Sequence, residues 1–211
     1  METQDNNQIR KELKLEPKKH EKEIGIIKEL ISWILVFAIA FGVADVVTMH
    51  IIINATVPSG SMENTIMTGD RMIGNRLAYI KDGPDRGDIV IFKFPDDVNN
   101  PDVKKPRLFV KRVIGLPGET VEITEGKVYI YNRQDGTEDG LYEEPYLREE
   151  WVNNNDGYTF EIPDDSYLMM GDNRNLSNDA RYWNDSYVSE DEILAEAKFV
   201  YWPFKHIGKI D

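Results

Sequence analysis

The chain has no cysteine, which excludes disulfides, thiolate metal sites and a cysteine nucleophile. It has only three histidines, His20, His50 and His206, far apart and in no metal-ligand spacing. A Ser-His-Asp triad therefore has few candidates for its base, and no GxSxG turn is present. Basic residues are outnumbered: 25 Lys/Arg stand against 38 Asp/Glu in 211 residues. The resulting charge of −13 argues against nucleic acid as a partner. Internal repeats are absent, and helical periodicity is weak over most of the chain. Long apolar runs are scarce too, with one exception.

That exception is ISWILVFAIAFGVA, residues 31–44, which holds no charge; after Asp45 the run resumes as VVTMHIII. A membrane-spanning helix needs about 20 apolar residues. The sequence predicts a transmembrane anchor over 31–53 rather than a core helix or a cleaved leader. Asn54-Ala55-Thr56 is a poor cleavage site, and the segment before the run is long. That segment, residues 1–30, carries seven Lys/Arg and seven Asp/Glu, and it reads as a mobile charged tail. No basic residue separates the run from Arg71. The bias predicts a single-pass cell-membrane protein with a cytoplasmic N-terminus and residues 54–211 outside.

From residue 50 on, β-rich runs at 51–53, 88–92, 108–114, 120–123 and 127–131 are cut by turns such as Asp82-Gly83-Pro84 and Leu116-Pro117-Gly118. The best helical candidate there is 189–197, with Ser189 as cap and Glu192 three residues on. Residues 132–158 are acidic and turn-rich and read as an inserted lobe. The expected fold is mainly β, an antiparallel sheet domain over 54–211 with that lobe, preceded by one transmembrane helix.

Two short segments carry candidate chemistry. In Pro58-Ser59-Gly60-Ser61-Met62, Pro58 holds the chain extended before it, and Gly60 lets another backbone approach closely. The Ser61 N–H and the Ser59 hydroxyl could donate to a developing oxyanion. The plain alternative is an inert Ser/Gly loop. In the 108–114 run, Phe109, Lys111 and Val113 share one strand face, so Lys111 lies between two apolar neighbours. A buried lysine loses its proton more readily and can then act as a base. On the strand alone, Lys111 snorkelling to solvent beside a surface Arg112 is the plainer expectation.

Four blocks in order, PSGSMENTIMTGDRM (58–72), RGDIVIFKF (86–94), VKRVIGLPGETVEI (110–123) and GDNRNLSNDARYW (171–183), resemble the bacterial type I signal peptidases. The likeness runs from about residue 28 to the C-terminus. It implies a Ser-Lys dyad, with Ser61 as nucleophile, Lys111 as general base and Ser59 as oxyanion donor. It implies that Ser177 orients the lysine and that Asp179 and Arg181 form a supporting salt-bridged pair. It implies no metal or organic cofactor. The implied partners are the lipid bilayer and exported preproteins with small residues before the cleavage site. From Met49 to Ser61 an extended chain reaches at most about 40 Å, which would keep the nucleophile close to the membrane.

The chain departs from the family pattern at Asn64, where proline is usual, at Ala180, where serine is usual, and at Asn184, where glycine is usual. Asn64 is expected to loosen the turn after the nucleophile, and the other two to alter the fine geometry of the last block. Met62, Ile66, Met67 and Met72 are candidates for pocket lining, lipid contact or core. Three rival readings remain. A self-cleaving repressor would lack the anchor. A non-catalytic signal-peptidase-like assembly factor for surface polymers would lack Ser61 or Lys111. A plain anchored binding domain leaves the four blocks unexplained.

Overall fold

The structure, a computed structural model, describes residues 2–151 and 157–211, with side chains described from Glu23 on. The chain divides into two compact units, one ending at Thr48 and one spanning Met49–Asp211.

The first unit is a single helix, α1 (Glu2–Val46). Its charged half is rich in Glu, Lys and Leu, which are good helix formers. The segment expected to be a mobile tail is therefore helical from Glu2 on, while Met1 lies outside the described residues. The 29 residues Glu23–Ile51 are long and apolar enough to cross a membrane. Trp33, Phe37 and Phe41 are exposed along it, as on a helix apolar all round.

The second unit is antiparallel β. Its strands are β1 (Ile52–Thr56), β2 (Arg71–Asn75), β3 (Ile89–Lys93), β4 (Leu108–Gly115), β5 (Thr120–Thr124) and β6 (Lys127–Tyr131). They continue with β7 (Gly140–Tyr142), β8 (Tyr158–Glu161), β9 (Ser166–Met170), β10 (Tyr187–Ser189), β11 (Ile193–Trp202) and β12 (Gly208–Lys209). Eight form one sheet in the order β1-β2-β11-β3-β4-β9-β10, with β12 on β11. The other four form a second sheet in the order β7-β6-β5-β8.

Three sequence expectations change. Ile52 and Ile53, grouped with the anchor over 31–53, belong to β1, and Ile53 is buried in the second unit. Pairing with β2 gives this β-branched run a ladder and ends the helix before it. Residues 189–197 are not a helix. Ser189 ends β10, Glu190–Glu192 make one 3-10 turn, and β11 follows. Strand β11 lies between β2 and β3, and ladders on both sides outweigh a local capping signal.

The described part of residues 132–158, finally, is in contact with the core. Tyr142, Tyr146 and Trp151 pack against it, while residues 152–156 of that lobe lie outside the described residues. Arg86 forks both oxygens of buried Glu119 at 2.6 and 2.8 Å, in the turn that leads from β4 into β5.

Strand β3 is buried on both faces, so Ile89-Val90-Ile91-Phe92 needs no polar alternation. Val90 and Phe92 pack with Val113, Leu168 and Trp183. Ile89 and Ile91 pack on the opposite face with Met62, Ile66 and Met72. Those three residues after Ser61 are therefore core, whereas Met67 is exposed.

Candidate active site

Strand β4 carries two cations in succession, and neither reaches solvent: Lys111 is 3% exposed and Arg112 4%. The expectation of two surface charges is corrected by the position of β4, which lies inside the sheet between β3 and β9. Burial pushes the Lys111 amine down to about 8. The carboxylates of Asp179 and Asp172 act through space in the opposite direction. The Phe109 ring centre lies 5.5 Å from Nζ, part of the apolar setting that the strand alternation predicts.

Lys111 Nζ lies 2.6 Å from Ser61 Oγ and 3.2 Å from the Val110 carbonyl oxygen. Two blocks 50 residues apart thus place a hydroxyl on a desolvated amine. Ser61 sits in the 3-10 turn Gly60–Met62, and it is buried. The turn is fixed by the last block: Asn173 N–H donates to the Ser61 carbonyl at 3.0 Å, and Asn173 Nδ2 donates to the Gly60 carbonyl at 2.9 Å. Ser59 Oγ is 3.4 Å from Ser61 Oγ, on the same side of the turn but too far for a strong bond.

Ser177 is buried beside the site but makes no well-formed hydrogen bond, to Lys111 or to any other described residue. Its hydroxyl adds weakly to the forces that keep Asp179 ionised. Gly171 brings it close: a Cβ there would lie 2.3 Å from Ser177 Oγ and 2.4 Å from the Ser61 carbonyl oxygen. Asp179 is fully buried, and burial alone would raise its pKa. Arg181 more than offsets this, forking both carboxylate oxygens at 2.8 and 2.9 Å, and the Gly171 N–H adds a third bond.

Sequence reasoning missed a second buried pair. Arg112 donates to both oxygens of Asp172, at 2.9 and 2.8 Å, and to the Gly87 carbonyl at 2.7 Å. Thr65, four residues after Ser61, donates to the same Asp172. The signal was present in the adjacency of Lys111 and Arg112. Alternation sends them to opposite faces, and a second buried cation demands a carboxylate. Of the departures from the family pattern, Ala180 is core, and Asn184 bonds Asp96 through its backbone and side-chain nitrogens. Asn64 does not loosen its turn. It holds φ +99° and donates to the Tyr146 carbonyl at 2.9 Å.

A groove of about 450 Å³ borders the pair, lined among others by Ala55, Val57, Ser59, Ile91, Leu108 and Val110. Two strand edges border it. Among the described residues, strand β1 pairs only with β2, and residues 108–111 of β4 pair only with β3, because pairing with β9 begins at Arg112. Unpaired backbone on both sides suits an extended peptide.

Residues 30–202 match the family described as signal peptidase, peptidase S26. A probable signal peptidase I-2 of Synechocystis is 34% identical over 155 residues, 72% of this chain and 64% of that protein. A signal peptidase IB of Staphylococcus aureus is 31% identical over 193 residues, 84% of this chain and 92% of that protein. The crystal structure of a signal peptidase I from Enterococcus faecalis is 30% identical, covers 54% of this chain and 95% of that one, and superposes with a TM-score of 0.39.

Proposed function

The chain belongs to the signal peptidase family, peptidase S26, and from that premise we propose that it cuts N-terminal signal peptides from exported preproteins by a Ser61–Lys111 dyad. The observation that carries this reading is the buried 2.6 Å approach of Lys111 Nζ to Ser61 Oγ. Ser61 needs a base, and a desolvated lysine with its pKa brought down to about 8 supplies one near neutrality.

The neutral amine takes the Ser61 proton as Oγ attacks the scissile carbonyl carbon. The Ser61 N–H and the Ser59 hydroxyl stabilise the oxyanion. The Lys111 ammonium then protonates the departing amine, the C–N bond breaks, and an acyl-ester on Ser61 remains. Water, losing its proton to the regenerated amine, attacks the ester carbonyl; the Lys111 ammonium returns that proton to Ser61 Oγ as the ester C–O bond breaks, which frees the signal-peptide carboxyl end and restores both groups. Ser177 is the lysine-orienting hydroxyl in this scheme, supported by its burial and its unused bonding capacity. Asp179 and Arg181 brace the block that carries it.

The substrate lies extended in the groove, adding a strand beside unpaired backbone. Ile91, Leu108 and Val110 make its wall apolar, which suits uncharged side chains before the cut, and the small residues expected there follow from the family resemblance. Helix α1 anchors the chain in the cell membrane with residues 1–30 in the cytoplasm and residues 54–211 outside, as the basic residues before the span favour.

Incubating the detergent-solubilised full chain with a preprotein, and sequencing the new N-terminus, tests the reading. Cleavage after a small residue is expected, with none by Ser61→Ala; an uncut preprotein would sink it. Protease added to intact protoplasts should digest the chain beyond about residue 54 and spare the tail. A protected large domain would reverse the topology.

A further inference from the structure

The segment after β7, residues 143–151, crosses the region that carries the dyad and touches each part of it. It holds the nucleophile turn at three neighbouring residues or their partners. Asn64 Nδ2 donates to the Tyr146 carbonyl at 2.9 Å, across 82 residues of sequence. Arg148 forms an ion pair with Glu63. The Arg148 N–H approaches the Asp172 carbonyl at 3.5 Å, and Thr65 donates to the carboxylate of that same Asp172. On the lysine strand, the Arg112 guanidinium stacks 4.0 Å over the Tyr146 ring.

The segment is itself fixed from beneath. Glu144 forks buried Arg174, whose own Nε donates to the Gly171 carbonyl at 3.0 Å. Both members of that pair are almost fully buried, at 1% and 5% side-chain exposure. The Tyr146 hydroxyl donates to Glu144 at 2.7 Å. Arg174 and Arg181 both lie over the Trp151 ring, at 5.0 and 5.1 Å. The underside of the segment therefore rests on the block that holds Ser177 and Asp179, and its outer side grips the turn that holds Ser61.

We propose that residues 143–151 are a positioning strap that sets the Ser61 turn in register with Lys111, with Asn64, Tyr146 and Arg148 as its contacts. None of these residues lines the groove, so the strap acts on the nucleophile and not on the substrate. Asn64 is suited to the task twice over. Asparagine tolerates the left-handed φ of +99° that the turn adopts there, and its amide reaches the strap. Proline, fixed near −65°, could do neither. The alignment matters because a displacement of about 1 Å at a reacting group can cost about 100-fold in rate.

The inference rests on Ser61 and Lys111 being the dyad, and the experiment separates the two. Full chain in detergent is titrated with an acylating serine inhibitor to count competent sites, and preprotein cleavage is then measured per site. Wild type against Ser61→Ala tests the dyad alone. Asn64→Asp keeps size and shape but removes the donor; Asn64→Gly keeps the backbone conformation and removes the amide. Each is expected to lower kcat per titrated site by roughly 10- to 100-fold with KM within about twofold. Arg148→Gln should do the same to a smaller extent, and Arg148→Lys, which keeps the charge, should recover most of the loss. Unchanged kcat per site in Asn64→Asp and Asn64→Gly would reduce the strap to a packing element and overturn the proposal. A rise confined to KM would place it on the substrate instead and overturn it as well. Should the Asn64 variants not fold, Arg148, whose side chain is 45% exposed, carries the same test with the same overturning results.

Discussion

Lys111 and Arg112 are neighbours on one strand and almost equally buried, and their pKa values move in opposite directions. Arg112 meets the fork of Asp172 and the Gly87 carbonyl, and these hold its charge firmly in place against the cost of burial. Lys111 meets a hydroxyl and a carbonyl, and its nearest carboxylates act only from a distance, so desolvation wins and the amine falls to about 8. Burial alone therefore does not make a base. What decides is whether the buried cation is given a carboxylate to touch. One face of β4 is built to keep a charge and the other to give one up.

The sharpest way to break the comparison is to remove the functional side. Ser61→Ala and Lys111→Met should each lower cleavage by about 10⁴- to 10⁶-fold, and the double variant should be no worse than either single one, as members of one catalytic unit behave. Cleavage within about 100-fold of wild type by either single variant, in a preparation free of other peptidases, would remove that residue from the dyad.

Next come the stabilities, which should move in opposite directions. Arg112→Met leaves Asp172 buried without its cation and should cost about 3–5 kcal/mol. Lys111→Met should stabilise the fold at pH 7. The folded chain depresses this pKa from 10.5 to about 8, so the unfolded chain binds the proton more tightly. The penalty is complete below about pH 8 and disappears as pH rises past 10.5, with stability increasing between the two. Its removal is worth roughly 3 kcal/mol at pH 7. Denaturant midpoints of the two variants in detergent check this. Destabilisation by both would mean that Lys111 is an ordinary structural cation.

Ser59→Ala sharpens the oxyanion assignment. Losing one donor should lower kcat by about 10²- to 10³-fold with KM little changed. A change in KM alone would make Ser59 a substrate contact. The smallest effect is the pH dependence. In the proposed dyad the neutral amine is the active form, so kcat/KM should climb as pH rises and level off above about 8. A flat profile between pH 6 and 9 would show that Lys111 does not carry the proton.

What could be read in the chain was what is local. Ser59, Ser61 and Lys111 sit in short blocks whose residue types suggest chemistry, Asp179 and Arg181 were singled out by the family resemblance, and the structure brings Ser61 onto Lys111 and pairs Asp179 with Arg181. The helix expected at 189–197 failed because its cap signal is local, whereas β11 is held by strands far away in sequence. The bond from Asn64 to Tyr146 had no local signal at all, since nothing near residue 64 says what will stand 82 residues later.

By itself the sequence determined an apolar span able to cross a membrane and a mainly β remainder, because these follow from composition and alternation, while the serine and the lysine were singled out by the resemblance of four short blocks to a known family. Only the tertiary structure decided that Lys111 is stripped of water while Arg112 is clamped by Asp172, and that the acidic segment folds back over the nucleophile turn. Desolvation and pairing belong to the surroundings of a side chain, and distant strands supply those surroundings.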